Sequence, residues 1–234
     1  MTAPNTGPKT APAYVLHYFP DNASLAVRFV LNELGLPHEA RLIDREGGQL
    51  ASAGYRALHP LGKIPALETP DGPMFETAAI LLYLSDRHAP GKLAPKPDSP
   101  ERAAFLKWFF FTSTNIHPTL MNLFYPERIA GEAAAAQVLA HARERMQDYL
   151  AVLDTAAADS PAWLAPDRPT ALGYYIAMLL RWLASMPASH PAHFRSASFP
   201  ALYRVLAHLE TRPAALAAAA AESLGDTIFT NPAT

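Results

Sequence analysis

The run His59-Pro60-Leu61-Gly62-Lys63-Ile64-Pro65-Ala66-Leu67-Glu68, followed by Phe75-Glu76-Thr77, constrains this chain more tightly than any other stretch. It reads as a turn, a short strand with a proline inside it, a second short strand, and the start of a helix. A proline removes a ladder hydrogen bond, so within a sheet it is confined to an edge or a special site. Ile64-Pro65 is therefore a candidate cis bond, the isomer that proline makes accessible. In that geometry the Ile64 N–H and C=O turn outward and can pair with an extended peptide. Glu76-Thr77 opens a helix whose first N–H groups have no partner within it. They suit a carboxylate, while Glu76 suits an ammonium. The two sites together fit a ligand with a peptide backbone in its middle and an amino-acid zwitterion at one end.

The residues around this run alternate strand and helix. Tyr14 to Phe19 is a β-rich run closed by Pro20-Asp21-Asn22. Ser24 is placed to cap a helix from Leu25 to Leu34. Val27, Val30, Leu31 and Leu34 share its inner face, and Arg28, Asn32 and Glu33 point out. Gly35 stops it. His38 to Ile43 is a second strand, and Gln49 to Leu58 a weak helix. Ile64 to Glu68 and Pro73 to Phe75 form a hairpin around Thr69-Pro70-Asp71-Gly72, and Glu76 to Arg87 is a helix. The order βαβαββα is a thioredoxin-like layout.

From Ser99 onward the periodicity is helical. Ser99-Pro100-Glu101 supplies a cap, a proline at the first helical position and an early acid. The helix behind it runs through Trp108 and is expected to break at His117-Pro118. Glu132 to Ala156 is long and alanine-rich. Thr170 to Met186 is apolar on all sides and reads as a buried central helix. Pro200 to Thr211 is amphipathic, and Pro213 opens a last helix. The expected organisation is a disordered leader over residues 1–13, a thioredoxin-like α/β domain over 14–90, a linker over 91–98, an all-α domain over 99–225 and a tail over 226–234.

The run from His59 to Leu67, with Glu76-Thr77, resembles the glutathione-binding segment of the cytosolic glutathione transferase family. His59, Ile64 and Thr77 replace the more usual Asn, Val and Ser. Trp163-Leu164-Ala165 with Thr170, and Phe199-Pro200 with Arg212-Pro213, are similar to landmarks of the family's helical half. The resemblance implies glutathione as co-substrate, bound through Lys63, Ile64, Pro65, Glu76 and Thr77, and a homodimer. It also implies a transferase that activates the glutathione thiol for attack on an electrophile, a peroxide or a disulfide. The alternative is a non-catalytic member used as a binding or assembly module. One departure concerns the central helix, where the family usually pairs Ser or Thr with Asp three residues later. Here that place is Gly173, so the helix start is expected to be weaker by roughly 0.5–2 kcal/mol.

A free thiol titrates near roughly pH 8.5, so activity near neutrality needs a device that favours the thiolate. Three residues beside the first helix can donate a hydrogen bond to sulfur. Tyr18 lies in Tyr18-Phe19-Pro20, which is similar to the segment of tyrosine-type members. Ser24 lies near the place of the serine in serine-type members, and Asn22 matches bacterial members that use an Asn amide. The order of preference is Ser24, Asn22, Tyr18. Each also has a structural role open to it, as cap, turn or strand residue. The same segment is similar to the beta-class Tyr-Ser-Pro-Gly-Ala-Cys-Ser-Leu, with Ala23 in place of the catalytic cysteine. The chain has no cysteine, which excludes cysteine-based thiol exchange. Candidates for the electrophile side are Trp108, Phe111, Thr112, His117 and Tyr125, though the run from Trp108 to Phe111 cannot all face one way on a helix. They imply a small, apolar substrate.

The net charge of −2 leaves no electrostatic footprint for nucleic acid or an anionic membrane. The nine histidines show no zinc-type spacing, so no metal is expected. The most apolar stretch, Leu172 to Met186, is interrupted by Arg181 and too short to span a bilayer. A cytoplasmic protein is the expectation.

Overall fold

The computed structural model describes residues 13–232; the expected leader lies outside them except for Ala13. The first half contains β1 Tyr14–Tyr18, α1 Ser24–Glu33, β2 His38–Leu42, α2 Ala53–Leu58, β3 Ala66–Thr69, β4 Gly72–Phe75 and α3 Thr77–His88. The sheet order is β2-β1-β3-β4. β1 runs parallel to β2, with Tyr14 opposite His38, and antiparallel to β3, with Leu16 opposite Leu67. β4 pairs antiparallel with β3 at the edge, where Pro73 is tolerated. Leu31, Asn32, Gly35 and Leu36 close α1 as a Schellman motif: Leu36 N–H reaches Leu31 O at 2.9 Å and Gly35 N–H reaches Asn32 O at 3.0 Å. Gly35 has φ +64°, the left-handed conformation this motif requires.

The second half is helical: α4 Arg102–Phe111, α5 His117–Phe124, α6 Glu127–Ala130, α7 Ala135–Ala157, α8 Ala171–Ala184, α9 Pro200–Glu210 and α10 Pro213–Glu222. α8 is buried almost throughout, as its all-round apolar pattern predicts. Among the described residues no helix is long and apolar enough to cross a membrane.

Two expectations are corrected, the solvent-facing side of α1 and the break at His117-Pro118. The outer face of α1 does not face solvent, because α8 and α10 of the helical half cover it. Arg28 is buried and donates to Glu222 Oε1 at 2.7 Å. Glu33 pairs with Arg212 and accepts from the Tyr174 hydroxyl at 2.7 Å. The helix starting at Arg102 does not break at His117-Pro118. Residues Thr112–Ile116 form a π-helical stretch, and α5 continues from it with Pro118 in its first turn. The wider i→i+5 spacing absorbs the proline's missing donor, and such stretches recur at functional sites. The linker is docked: Leu93 and Ala94 are buried, and Leu93 O accepts from Ala171 N at 2.8 Å. That bond supports the start of α8 beside the cap, where Thr170 Oγ1 accepts from Gly173 N at 2.9 Å. A Cβ at Gly173 would meet Leu209 at 3.3 Å, so the glycine lets α9 pack closely against α8. The tail is docked as well, with Ile228 and Phe229 fully buried and Phe229 edge-on to Phe29 of α1.

Candidate functional site

A cleft of about 1620 Å³ runs between the two halves. One wall comes from the α/β half: the loop before α1, the loop before β3 and the start of α3. The other comes from α4, α5, the π-helical stretch, α6 and α8. Of the residues expected to hold glutathione, Lys63, Ile64, Pro65, Glu76 and Thr77 all line this cleft.

Their local geometry follows from sequence. Gly62 has φ +59° and its Cα lies so close to α2's approach that a Cβ would run into the Leu50 carbonyl oxygen. The Tyr55 hydroxyl donates to Lys63 O at 2.7 Å and holds the loop from behind. Ile64-Pro65 is cis. Among the described residues neither the Ile64 N–H nor its C=O takes a hydrogen bond outside the sheet and helices. Glu76 is the N-cap of α3 and has φ +69° with no side-chain cap bond. A non-glycine residue in that conformation carries strain of order 1–3 kcal/mol, and such residues cluster at ligand sites. The strained residue is exposed at the cleft, and Thr77, Ala78 and Ala79, whose N–H groups have no partner within the first turn of α3, line the same space.

The three candidate thiol donors separate sharply. Ser24 does not cap α1; Ala23 does, and Ser24 is the first residue of the helix. Its hydroxyl is fully buried, donates to Phe19 O at 3.3 Å, and does not reach the cleft wall. Tyr18 also lies outside the cleft lining, with the Arg28 guanidinium 4.2 Å above its ring. Asn22 does line the cleft. Its Oδ1 accepts from Ala23 N at 2.8 Å, which assigns the amide oxygen to the backbone and turns the NH₂ away from it. Of the three, Asn22 alone lines the cleft, beside the start of α1.

On the electrophile side His117 and Tyr125 line the cleft. Trp108, Phe111 and Thr112 do not. Trp108 stacks on Trp163, Phe111 packs edge-on to Tyr149 of α7, and Thr112 is buried with its hydroxyl on Trp108 O. The helix turns those three toward the interior and leaves Phe110, half exposed at 50%, on the cleft side. His117 Nδ1 is 2.8 Å from the Tyr175 hydroxyl. Burial, aided by the Lys63 charge, pulls the His117 pKa down to about 4, so the ring is neutral at physiological pH. Burial, with the Glu76 charge, pushes Tyr175 upward.

Sequence reasoning missed Tyr175, Asp21, Arg181 and Trp182. Arg181 carried the signal, because a guanidinium inside an apolar helix has to find a partner. It finds Asp21, with Nε to Oδ1 at 2.9 Å and Nη2 to Oδ2 at 3.0 Å. The Trp182 indole N–H adds a bond to Asp21 Oδ1 at 3.0 Å, and Arg181 Nη1 donates to Ile228 O at 2.9 Å. Behind the loop, Asp21 N–H donates to Glu222 Oε2 at 2.9 Å. Burial raises the Glu222 pKa, and the Arg28 charge opposes that rise.

Comparison with known proteins points to one family. Residues 23–87 match the profile of the glutathione S-transferase N-terminal domain. A glutathione S-transferase of Xanthomonas campestris is 30% identical over 169 residues, covering 71% of this chain and 81% of the relative. The structure of a sphingomonad glutathione S-transferase complexed with glutathione is 30% identical, has a TM-score of 0.71, and covers 90% of this chain and 100% of that one. A glutathione transferase of Phanerochaete chrysosporium, solved with oxidized glutathione, superposes with a TM-score of 0.78 over 92% of this chain and 97% of that one. At 20% identity that likeness speaks for the fold alone.

Proposed function

From the premise that this chain belongs to the glutathione S-transferase family, we propose that its cleft binds glutathione and that Asn22 activates the bound thiol. The observation that carries the reading is the meeting of three features in one cleft: the Ile64-Pro65 loop, the start of α3 at Glu76-Thr77, and the Asn22 amide. The glutathione backbone pairs with the Ile64 N–H and C=O. Its glutamyl carboxylate faces the first N–H groups of α3, its ammonium faces Glu76, and Lys63 offers a cation to the other end. The sulfur then lies by the start of α1. There the Asn22 NH₂ and the helix dipole favour the thiolate. The second substrate enters against Phe110, Met121, Phe124 and Tyr125, an apolar and aromatic wall that suits a small apolar electrophile or peroxide. The reading carries two further proposals: a homodimer, and a cytoplasmic location, where the glutathione pool is kept reducing.

Titration calorimetry with glutathione tests the site. Glu76→Ala is expected to weaken binding roughly tenfold or more, since it strands a ligand ammonium that had a charged partner. Absence of binding by the unaltered protein at millimolar glutathione would remove the reading. Light scattering at the mass of one chain, 25.4 kDa, would remove the homodimer.

A further inference from the structure

We infer that Arg181 is a positioning residue for thiol activation: it neutralises Asp21 on the cleft floor, so that the adjacent Asn22 can favour a thiolate. The inference rests on the reading that Asn22 activates sulfur. Asp21 and Asn22 are neighbours in the loop before α1, and both line the cleft. A bare carboxylate one residue from the activating amide would oppose a second negative charge on sulfur. In this structure the carboxylate is not bare. Arg181 grips both its oxygens in a two-pronged pair, and the Trp182 indole adds a third donor. The pair is asymmetric in exposure, with the Arg181 side chain at 4% and that of Asp21 at 33%. The cation thus stands behind the carboxylate as seen from the cleft.

The same bonds fix the backbone. Asp21 has φ +50°, a left-handed conformation uncommon for a non-glycine residue. It is held there by Arg181 and Trp182 from α8 and by Glu222 from α10. The turn it makes brings Asn22 Oδ1 onto Ala23 N. A brace alone needs no charge, and a buried ion pair is seldom the most stabilising choice. Other charged or titratable groups that line the same cleft include Arg45, His59, Lys63, Glu76 and the His117–Tyr175 pair, and the Arg28–Glu222 pair lies behind the loop. The variants below leave all of them in place.

The test follows the thiol pKa of bound glutathione by thiolate absorbance, with kcat and KM for an aryl halide. Arg181→Met is expected to raise that pKa by about one pH unit. Its kcat at neutral pH falls about tenfold, while KM for glutathione changes less. Asp21→Asn is expected to lower the thiol pKa, because the guanidinium then faces sulfur without its counter-charge. The double variant returns close to the original value. Loss of a purely structural brace moves all three in one direction, so a rise in Asp21→Asn, or no change, overturns the inference. Where Arg181→Met fails to fold, Asp21→Asn decides, together with Trp182→Phe, which removes one donor from the same carboxylate and raises the pKa by a smaller amount. An unchanged thiol pKa in Asn22→Ala overturns instead the reading on which this rests. Calorimetric binding of glutathione by each variant separates both results from loss of the ligand site.

Discussion

Among the residues flanking the first helix, the difference between Asn22 and Ser24 is one of direction. Both types can donate to sulfur, and sequence alone places them two positions apart at the same helix start. The chain enters α1 one residue earlier than a Ser24 cap requires, so the Ser24 hydroxyl turns inward onto Phe19 O. Asn22→Ala is therefore expected to lower kcat about a hundredfold or more, in line with the roughly 2.7–4 kcal/mol lost with one donor in comparable anion sites. KM for glutathione should hold. Ser24→Ala and Tyr18→Phe should keep turnover within a fewfold, and steady-state kinetics on the three variants checks this order. His117 supports a second prediction. Its folded pKa of about 4 lies below the unfolded value of 6.5, so the unfolded chain binds the extra proton first. The contribution of the neutral ring to stability is complete above pH 6.5 and is lost as pH falls toward 4. It amounts to about 3 kcal/mol over that window. Urea unfolding of the original protein and of His117→Gln, at pH 7 and near pH 4, should show the variant losing that much less on acidification.

At the scale of elements, the parts written in local chemistry were legible. Pro65, the Thr69-Pro70-Asp71-Gly72 turn, the stop at Gly35 and the apolar α8 all have a mechanism that acts within a few residues, and all of them took their expected form. What was not legible depends on a neighbour. The polar face of α1 looks solvent-exposed in sequence because Arg28 and Glu33 are charged. Their partners, Glu222 and Arg212, lie far along the chain. Pro118 looked like a helix break because its cost assumes an α-helical ladder, and the π-helical stretch Thr112–Ile116 removes that assumption. The same stretch decides which of the clustered aromatics reach the cleft, so Phe110 could not be told from Phe111 in advance. Gly62 gives the prediction proper to this scale. Gly62→Ala puts a Cβ against Leu50 O in a backbone conformation that alanine adopts only at a cost of about 1–2 kcal/mol. The Lys63-Ile64-Pro65 loop must then move. Calorimetry is expected to show glutathione binding weakened at least tenfold, with far-ultraviolet circular dichroism nearly unchanged.

Across the whole molecule, the two halves are bound by burial as well as by charge. α1 belongs to the α/β half by sequence, yet its ring at Phe29 lies between Tyr174 of α8, stacked at 5.2 Å, and Phe229 of the tail, edge-on at 5.3 Å. The tail therefore seals a core shared by both halves. It is anchored by Glu210, whose carboxylate accepts from Phe229 N at 2.6 Å and Thr230 N at 2.9 Å, and by Ile228 O on Arg181. The residues that close the core thus also hold the guanidinium behind Asp21, so damage at the tail should reach the cleft. Phe229→Ala removes a fully buried ring and should cost about 3–5 kcal/mol. Because the ring touches α1 and its flanking residue touches α8, both halves should lose stability together. Trp108, Trp163 and Trp182 all report on the helical half. Their fluorescence and backbone hydrogen exchange in β1 and β3 should therefore give the same reduced unfolding free energy in this variant. A sheet that keeps its original protection while the tryptophan signal shifts to lower urea would mean that the halves fold as separate units and that the tail stabilises only one of them.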